Sequence, residues 1–515
     1  MHFGPASVCL RRRSNTWVAL AAIGLASCGG GGSSNTSTPA PPTIGGSISG
    51  LTGSGLVLQN NSGNDLVVVS GARSFQFSGA VQQGAGYSVT VKSQPHSPLQ
   101  SCSVTNSSGA VGGSAVSSVA IHCKTWTPRF AYVANKGDAS GNSSISGFSI
   151  SASAGQAGEL TPLTGSPFVG AGPGSGPIAI TSDPQGRFVF VHNAGSQSVS
   201  AYAVDAATGA LTPAPGSPYS SWGSYTPRML VDPTGLFLIV GVNDSNGNSG
   251  LWTQVFSINQ ADGSLSQQFV IGIGHSNAVD GALSIAMDPS GRLLFVGSLA
   301  INTVPFSPSC RWGSLSVLSL DRSTGMVSEV AGSPYLMPNV PGSLAVDPVS
   351  HRLYAANLQL SLAPSAECPA NMTSASTGIA GYSYDSDSGA LTAIDGSPFG
   401  AATSGSAFMA IDPAGAYAYA LSSGAIQRYA VDATTGVLNA AGSAAPLGSS
   451  TGSSILIDQS GGYLYALALS TQSGQPGQVY SFAVDFNNGD LTPLPGSPFA
   501  AGVWPQSITI VGGFQ

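Results

Sequence analysis

Short runs of alternating apolar and polar residues, each closed by Gly, Pro, Asn or Ser, recur along the chain from residue 44 onward. The cleanest is Tyr87-Ser88-Val89-Thr90-Val91, whose period of two marks a strand with one buried face. Between 44 and 124 such runs fall at 55–59, 66–69, 74–77, 87–91, 101–105 and 119–122. That many short strands in so short a stretch predict a small β-sandwich domain.

From 129 to 515 the pattern becomes a repeat. An apolar strand, an Asp-Pro-x-Gly turn and a second apolar strand recur at Asp183, Asp232, Asp288 and Asp412, with a further copy at Asp347-Pro348 and a degenerate one at Asp458-Gln459-Ser460-Gly461. The separations are 49, 56, 59, 65 and 46 residues. In each turn Pro presets φ and Gly supplies a positive φ. A third strand follows, as at 198–204, then a turn ending in Gly, as at Thr208-Gly209, Thr324-Gly325 and Thr435-Gly436. A fourth strand runs into Gly-Ser-Pro-aromatic at 165–168, 216–219, 332–335, 396–399 and 496–499. Four antiparallel strands per unit of about 50 residues describe a propeller blade. The segment 129–135 reads as a second strand with no first strand ahead of it, and 505–510 as a first strand with no blade behind it. Joined, they complete a seventh blade and hide the edges of an open sheet. A solenoid also repeats, but it needs caps at its ends rather than halves that fit each other. The fold class is therefore all-β: a seven-bladed β-propeller preceded by a small β-sandwich.

Tyr132-Val133-Ala134-Asn135, the Asp-Pro-x-Gly turns and the Thr-Gly-x-Leu-Thr-Pro strands resemble the lactonase-type, YVTN-repeat seven-bladed propellers over roughly 129–515. The resemblance implies lactone ring opening by histidine, arginine and glutamate around the central channel. A base would direct water at the carbonyl and a cation would hold the oxyanion. Pro227-Arg228, at the head of an inner strand, resembles a Pro-Arg-His element of that family, with Met229 where the histidine would stand. Glu159, Glu329 and Glu367 are the chain's only glutamates, and none starts an inner strand, so the family's acid/base set is not carried over. The substitute set is Arg228 with His275, Asn277 and Asp280, the last three placed in one rim loop. Trp222, Tyr225, Trp312 and Trp504 fall in rim loops and are candidates for stacking on a sugar or another flat ligand. The alternative is ordinary blade packing. The domain at 44–124 resembles the immunoglobulin-like spacer modules of bacterial surface lipoproteins.

Composition narrows the function classes. Charged residues make up 7% of the chain, against about 25% in an average soluble domain. A net charge of −7 with 15 basic residues lacks the electrostatic footprint of nucleic-acid binding. No His-x-x-x-His, CxxC or EF-hand spacing is present, so neither a metal nor a cofactor is expected. At the N-terminus Arg11, Arg12 and Arg13 precede an apolar run at 16–25, too short to span a bilayer but suited to a secretory signal. Leu25-Ala26-Ser27-Cys28 resembles the bacterial lipobox, which implies cleavage before Cys28 and lipidation of its thiol. Gly29, where Asp would favour inner-membrane retention, points to the outer membrane. The alternative is an ordinary signal peptide with an incidental cysteine. Residues 28–43 read as a flexible tether.

Four further cysteines enter an oxidising compartment, where disulfides persist. Three pairings are possible. Cys102–Cys123 and Cys310–Cys368 are favoured because each pair falls inside one domain, and the latter two occupy equivalent points on neighbouring blades. Two free thiols are the alternative there. The sequence thus predicts a cell-envelope lipoprotein, held to a membrane by lipid. Its propeller rim binds a small-molecule, glycan or protein partner, or else opens lactone rings.

Overall fold

The computed structural model describes residues 42–515 apart from 138–142, 154, 170–174, 222–227, 244–250, 274–279, 302–310, 338, 359–377, 401–407, 423 and 449–450. All regular elements among the described residues are strands.

The first 80 or so described residues form two four-stranded sheets. In one, Thr43–Ser49 lies antiparallel to Ser74–Ala80 and parallel to the start of Val116–Asn135, which also pairs with Gln100–Thr105. In the other, Asn64–Val67, Val57–Asn60, Gly86–Ser93 and Ser108–Ala110 follow in that order. The period-two positions point inward as expected: Leu58, Phe77, Val89, Val119 and Ile121 are buried in one cluster. Cys102 and Cys123 face each other on adjacent strands and are joined by a disulfide. The strand Thr43–Ser49 carried no alternation in the sequence because its middle is Gly45-Gly46. A Cβ on Gly46 would lie 1.8 Å from the Val119 carbonyl oxygen, so the close parallel pairing requires glycine there.

The rest is a wheel of seven blades. Six are sheets of four or five strands, at 177–220, 228–273, 280–337, 340–393, 408–446 and 451–503, here blades 1 to 6. Blade 7 is shared by the two ends of the chain. Pro505–Phe514 is its inner strand, and the second half of Val116–Asn135, Ser144–Ile150 and Leu160–Pro162 complete it. Ile508 pairs with Val133 and Thr509 with Tyr132, the closure that the sequence predicts. An apolar cluster fills each of the seven blade-to-blade interfaces. One of them packs Tyr465 and Leu467 of blade 6 on Trp126 and Ile508 of blade 7.

Each repeated motif has a structural task. The turn aspartates are buried, and those at 183, 232, 288, 412 and 458 accept a backbone N–H from the start of the second strand, as in Asp232 Oδ1 with Leu236 and Phe237 at 2.8 and 2.7 Å; Asp347 instead accepts from Val349 in its own turn at 2.9 Å. The serine of each Gly-Ser-Pro accepts an N–H from the third strand of its own blade: Ala201 to Ser217 at 3.0 Å, Gly381 to Ser397 at 2.9 Å. Tyrosines of the second strand donate to the turn-glycine carbonyl of the next blade, Tyr354 to Gly436 at 2.8 Å and Tyr419 to Gly489 at 2.9 Å. Burial pushes the Tyr354 phenol up to about 12, so it stays a neutral donor. The asparagine that ends the second strand donates to its own hairpin, Asn135 to Ser146 and Asn193 to Ser200, both at 2.9 Å.

No spacer separates sandwich from wheel. Val116–Asn135 is one strand of 20 residues that serves both. The C-terminal strand follows it down until Gln515 and Thr125 exchange N–H···O bonds of 2.9 and 3.0 Å. The Trp126 N–H donates to the Leu99 carbonyl of the sandwich at 2.9 Å. The wheel has a turn face, where the Asp-Pro-x-Gly turns lie, and a rim face, where second strands lead into third and fourth into first. The sandwich leans on the turn face of blades 4 to 7.

Candidate functional site

With its own sandwich against the turn face, the wheel offers its rim face to a ligand, and surface loops on a rigid scaffold commonly carry binding. First strands of successive blades meet around the axis. Ser284 Oγ donates to Pro341 O at 2.8 Å, Met409 N donates to Ser343 Oγ at 3.1 Å, and Ser453 Oγ donates to Pro505 O at 2.8 Å. At the level four residues ahead of each turn aspartate stand Ala179, Arg228, Ser284, Ser343, Phe408 and Ser454. Arg228 is the one charge in that ring of small hydroxyls and apolar groups. It heads its strand opposite Gly241, on the same face as Leu230, which packs toward blade 3. Burial pushes its guanidinium below the ordinary value of 12.5. Arginine nevertheless remains a cation at neutral pH, with a planar fork of donors suited to a carboxylate or a polarised carbonyl.

Between blades 1 and 2, just below the rim, lies a buried polar chain. His192 Nε2 sits 3.2 Å from Ser221 Oγ, which donates to Gln254 Oε1 at 2.6 Å. All three side chains are buried. The interface around them is otherwise built from Phe190, Val199, Val242 and Phe256. A hydrogen-bonded polar group in such a place costs little when satisfied and fixes one geometry. It ties down Ser221, the last described residue before the segment that ends at Arg228. The sequence signal was His192 ahead of Asn193, where Ala134 and Ala356 stand in blades 7 and 4. It lies on the second strand of blade 1, Phe188–Asn193. Ser221 and Gln254 gave no signal.

At the closure, Trp504 projects from the rim with 42% of its surface exposed, at φ 55°. That backbone region is rare for a bulky residue and costs of order 1–3 kcal/mol. The Lys136 ammonium lies 5.8 Å from the indole centroid, and the Lys136 backbone N–H donates to the Trp504 carbonyl at 3.0 Å. The pair joins a flat apolar face to a cation. Lys136 was not singled out in the sequence, because only ring closure brings it beside Trp504.

Other predicted site residues fare differently. Asp280 and Trp312 fall on strands, Asp280–Met287 and Arg311–Leu320, rather than in rim loops. Irregular register between Asp280, Ala282 and Ser284 lengthens the inner strand of blade 3 beyond its repeat. Asp280 thereby heads the inner strand next to that of Arg228. Glu159 and Glu329 lie at fourth, outer strands, as expected, with the Glu329 carboxylate accepting from Ser333 at 2.9 Å. Trp222, Tyr225, His275, Asn277, Cys310, Glu367, Cys368 and the signal segment with Cys28 lie outside the described residues. No cluster of three or more metal-binding side chains occurs among the described residues.

The chain matches the family model "Lactonase, 7-bladed beta-propeller" over residues 91–224 and 142–279. No curated protein sequence matches it. Among solved structures it is similar to a candidate 6-phosphogluconolactonase from Bacteroides fragilis, at 17% identity and TM-score 0.54, covering 75% of this chain and 98% of that one. It is also similar to the periplasmic gluconolactonase of Pseudomonas aeruginosa, at 16% identity and TM-score 0.51, covering 74% and 99%. The family match and the seven closed blades agree on the fold: the wheel of this chain is a seven-bladed β-propeller, similar over part of its length to the lactonase propellers.

Proposed function

We propose that the rim face binds a small polyhydroxylated acid or its lactone, with Arg228 as the anion or carbonyl anchor. The observation that carries this reading is the placement of Arg228 as the one charge at its level of the inner ring. Trp504 and Lys136 supply a second, exposed contact of the kind that sugars and sugar acids use. On this reading the protein is an exported lipoprotein, anchored through Cys28 to the outer membrane. Its sandwich is the fixed base on which the wheel stands. Binding is put ahead of catalysis because Glu159 and Glu329 lie at outer strands, away from the inner ring that holds Arg228.

Calorimetric titration of the mature chain with gluconate and glucono-1,5-lactone tests the proposal. Loss of a charge-assisted contact in Arg228→Gln should weaken binding roughly 10- to 100-fold. Equal affinity in the variant removes Arg228 from the site. A second reading, lactone hydrolysis, is favoured by the family match, which spans Arg228, and by the gluconolactonase name of the Pseudomonas relative. Lactone turnover in the same samples that vanishes with Arg228→Gln would establish it. Palmitate labelling of wild type, but not of Cys28→Ala, checks the anchor.

A further inference from the structure

Four of the six turns on the turn face keep the Asp-Pro-x-Gly pattern, at Asp183, Asp232, Asp288 and Asp412. The other two are Asp347-Pro348-Val349-Ser350, which lacks the glycine, and Asp458-Gln459-Ser460-Gly461, which lacks the proline. Both border one cavity of about 530 Å³ between the turn face of blades 4 to 6 and the sandwich segment 93–99. That volume is in the range of ordinary small-molecule sites, which favour domain interfaces.

The walls are apolar. Val346, Ile411 and Ile457, each the residue before a turn aspartate, are only half-buried, and Leu99 of the sandwich lies with them. Val349 is 52% exposed at a position where the other turns carry Gln185, Thr234, Ser290, Ala414 and Ser460. Polar groups are few: Asp458 and Gln459 from the wheel, and Ser93, Gln94 and His96 from the sandwich. The Nδ1 of His96 is buried with no hydrogen-bond partner. Among the described residues no lysine or arginine lines the space, and the Asp458 carboxylate, which takes the Tyr463 N–H at 2.9 Å, would repel an anion. In the turn at Asp347 the positive φ falls on His351, one residue later than the glycine of the neighbouring turn at Asp412.

We infer that this cavity is a second ligand site, separate from the rim, for an uncharged and largely apolar small molecule with one hydrogen-bond-donating end. The apolar body lies on Val346, Ile411, Ile457 and Leu99, and the donor faces the Asp458–Gln459 side.

The test uses N-phenyl-1-naphthylamine, a neutral arylamine with one N–H whose fluorescence rises in apolar surroundings, titrated into the mature chain. Wild type should show saturable binding at one site. Ile411→Trp, which fills the cavity, should abolish it. Gln459→Pro restores the pattern of the other turns, so it should fold, and removal of the amide should weaken binding about 2- to 10-fold. Arg228→Gln should leave binding unchanged, which separates this site from the rim. The inference is overturned by a wild type that does not saturate, or by full binding in both cavity variants. It is equally overturned if Arg228→Gln abolishes the signal.

Discussion

Closing the wheel through its two chain ends makes one residue a sensitive probe. Ile508 is 5% exposed, directly opposite Val133 and packed with Trp126, Tyr465 and Leu467. Ile508→Ala removes apolar surface worth about 0.8 kcal/mol per methylene and leaves a cavity between blades 6 and 7 that rigid neighbouring sheets cannot fill. The expected cost is about 2–5 kcal/mol, a large part of the 5–15 kcal/mol that stabilises a typical protein. Urea unfolding followed by tryptophan fluorescence should show a lower midpoint at unchanged slope. A cycle with Val133→Ala should give a coupling of roughly 0.5–3 kcal/mol, whereas Leu353→Ala, buried between blades 3 and 4, should combine additively with Ile508→Ala. A cost below about 1 kcal/mol, or no coupling to Val133, would refute closure by this strand.

Three other outcomes follow from the same geometry. Gly209 and Gly71 have φ of +73° and +75°, but a Cβ on Gly209 would meet Phe130 at 2.6 Å while one on Gly71 meets nothing within 4 Å. Gly71→Ala should therefore cost about 1–2 kcal/mol and Gly209→Ala distinctly more; equal melting shifts would contradict the packing of blade 1 on blade 7. Tyr354→Phe leaves the Gly436 carbonyl without its 2.8 Å donor, a loss of roughly 1–3 kcal/mol that chemical denaturation should find unchanged between pH 7 and 9. Burial raises the Asp458 carboxyl from 3.8 to about 6, so the folded chain holds that proton more tightly than the unfolded one. Its contribution is full below pH 3.8 and is lost as pH rises through 6, up to roughly 3 kcal/mol. Stability of wild type minus Asp458→Asn, measured from pH 4 to 7, should fall with pH, and a flat difference would refute the burial argument.

The wheel is legible in the repeat itself. Turn chemistry is local: Asp, Pro and Gly at fixed offsets dictate a hairpin wherever they occur, and two half-blades at the chain ends have one way to satisfy their edges. Period-two alternation likewise revealed six of the sandwich strands and left out Ser108–Ala110, which is only three residues long, and Thr43–Ser49, whose glycines answer to a neighbouring strand rather than to their own sequence. The Cys102–Cys123 pairing followed from both residues lying in one small domain. What stayed hidden was set by residues far apart in sequence. Lys136 meets Trp504, and His192 meets Ser221 and Gln254, only because blades pack side by side. The seam at 125–128 reads as a break, yet the C-terminal residues pair with it and make one continuous strand of it. Local backbone preferences thus determined the elements and their number, while the docking of the sandwich, the cavity beneath it and the surroundings of Arg228 depended on long-range packing that no single segment encodes.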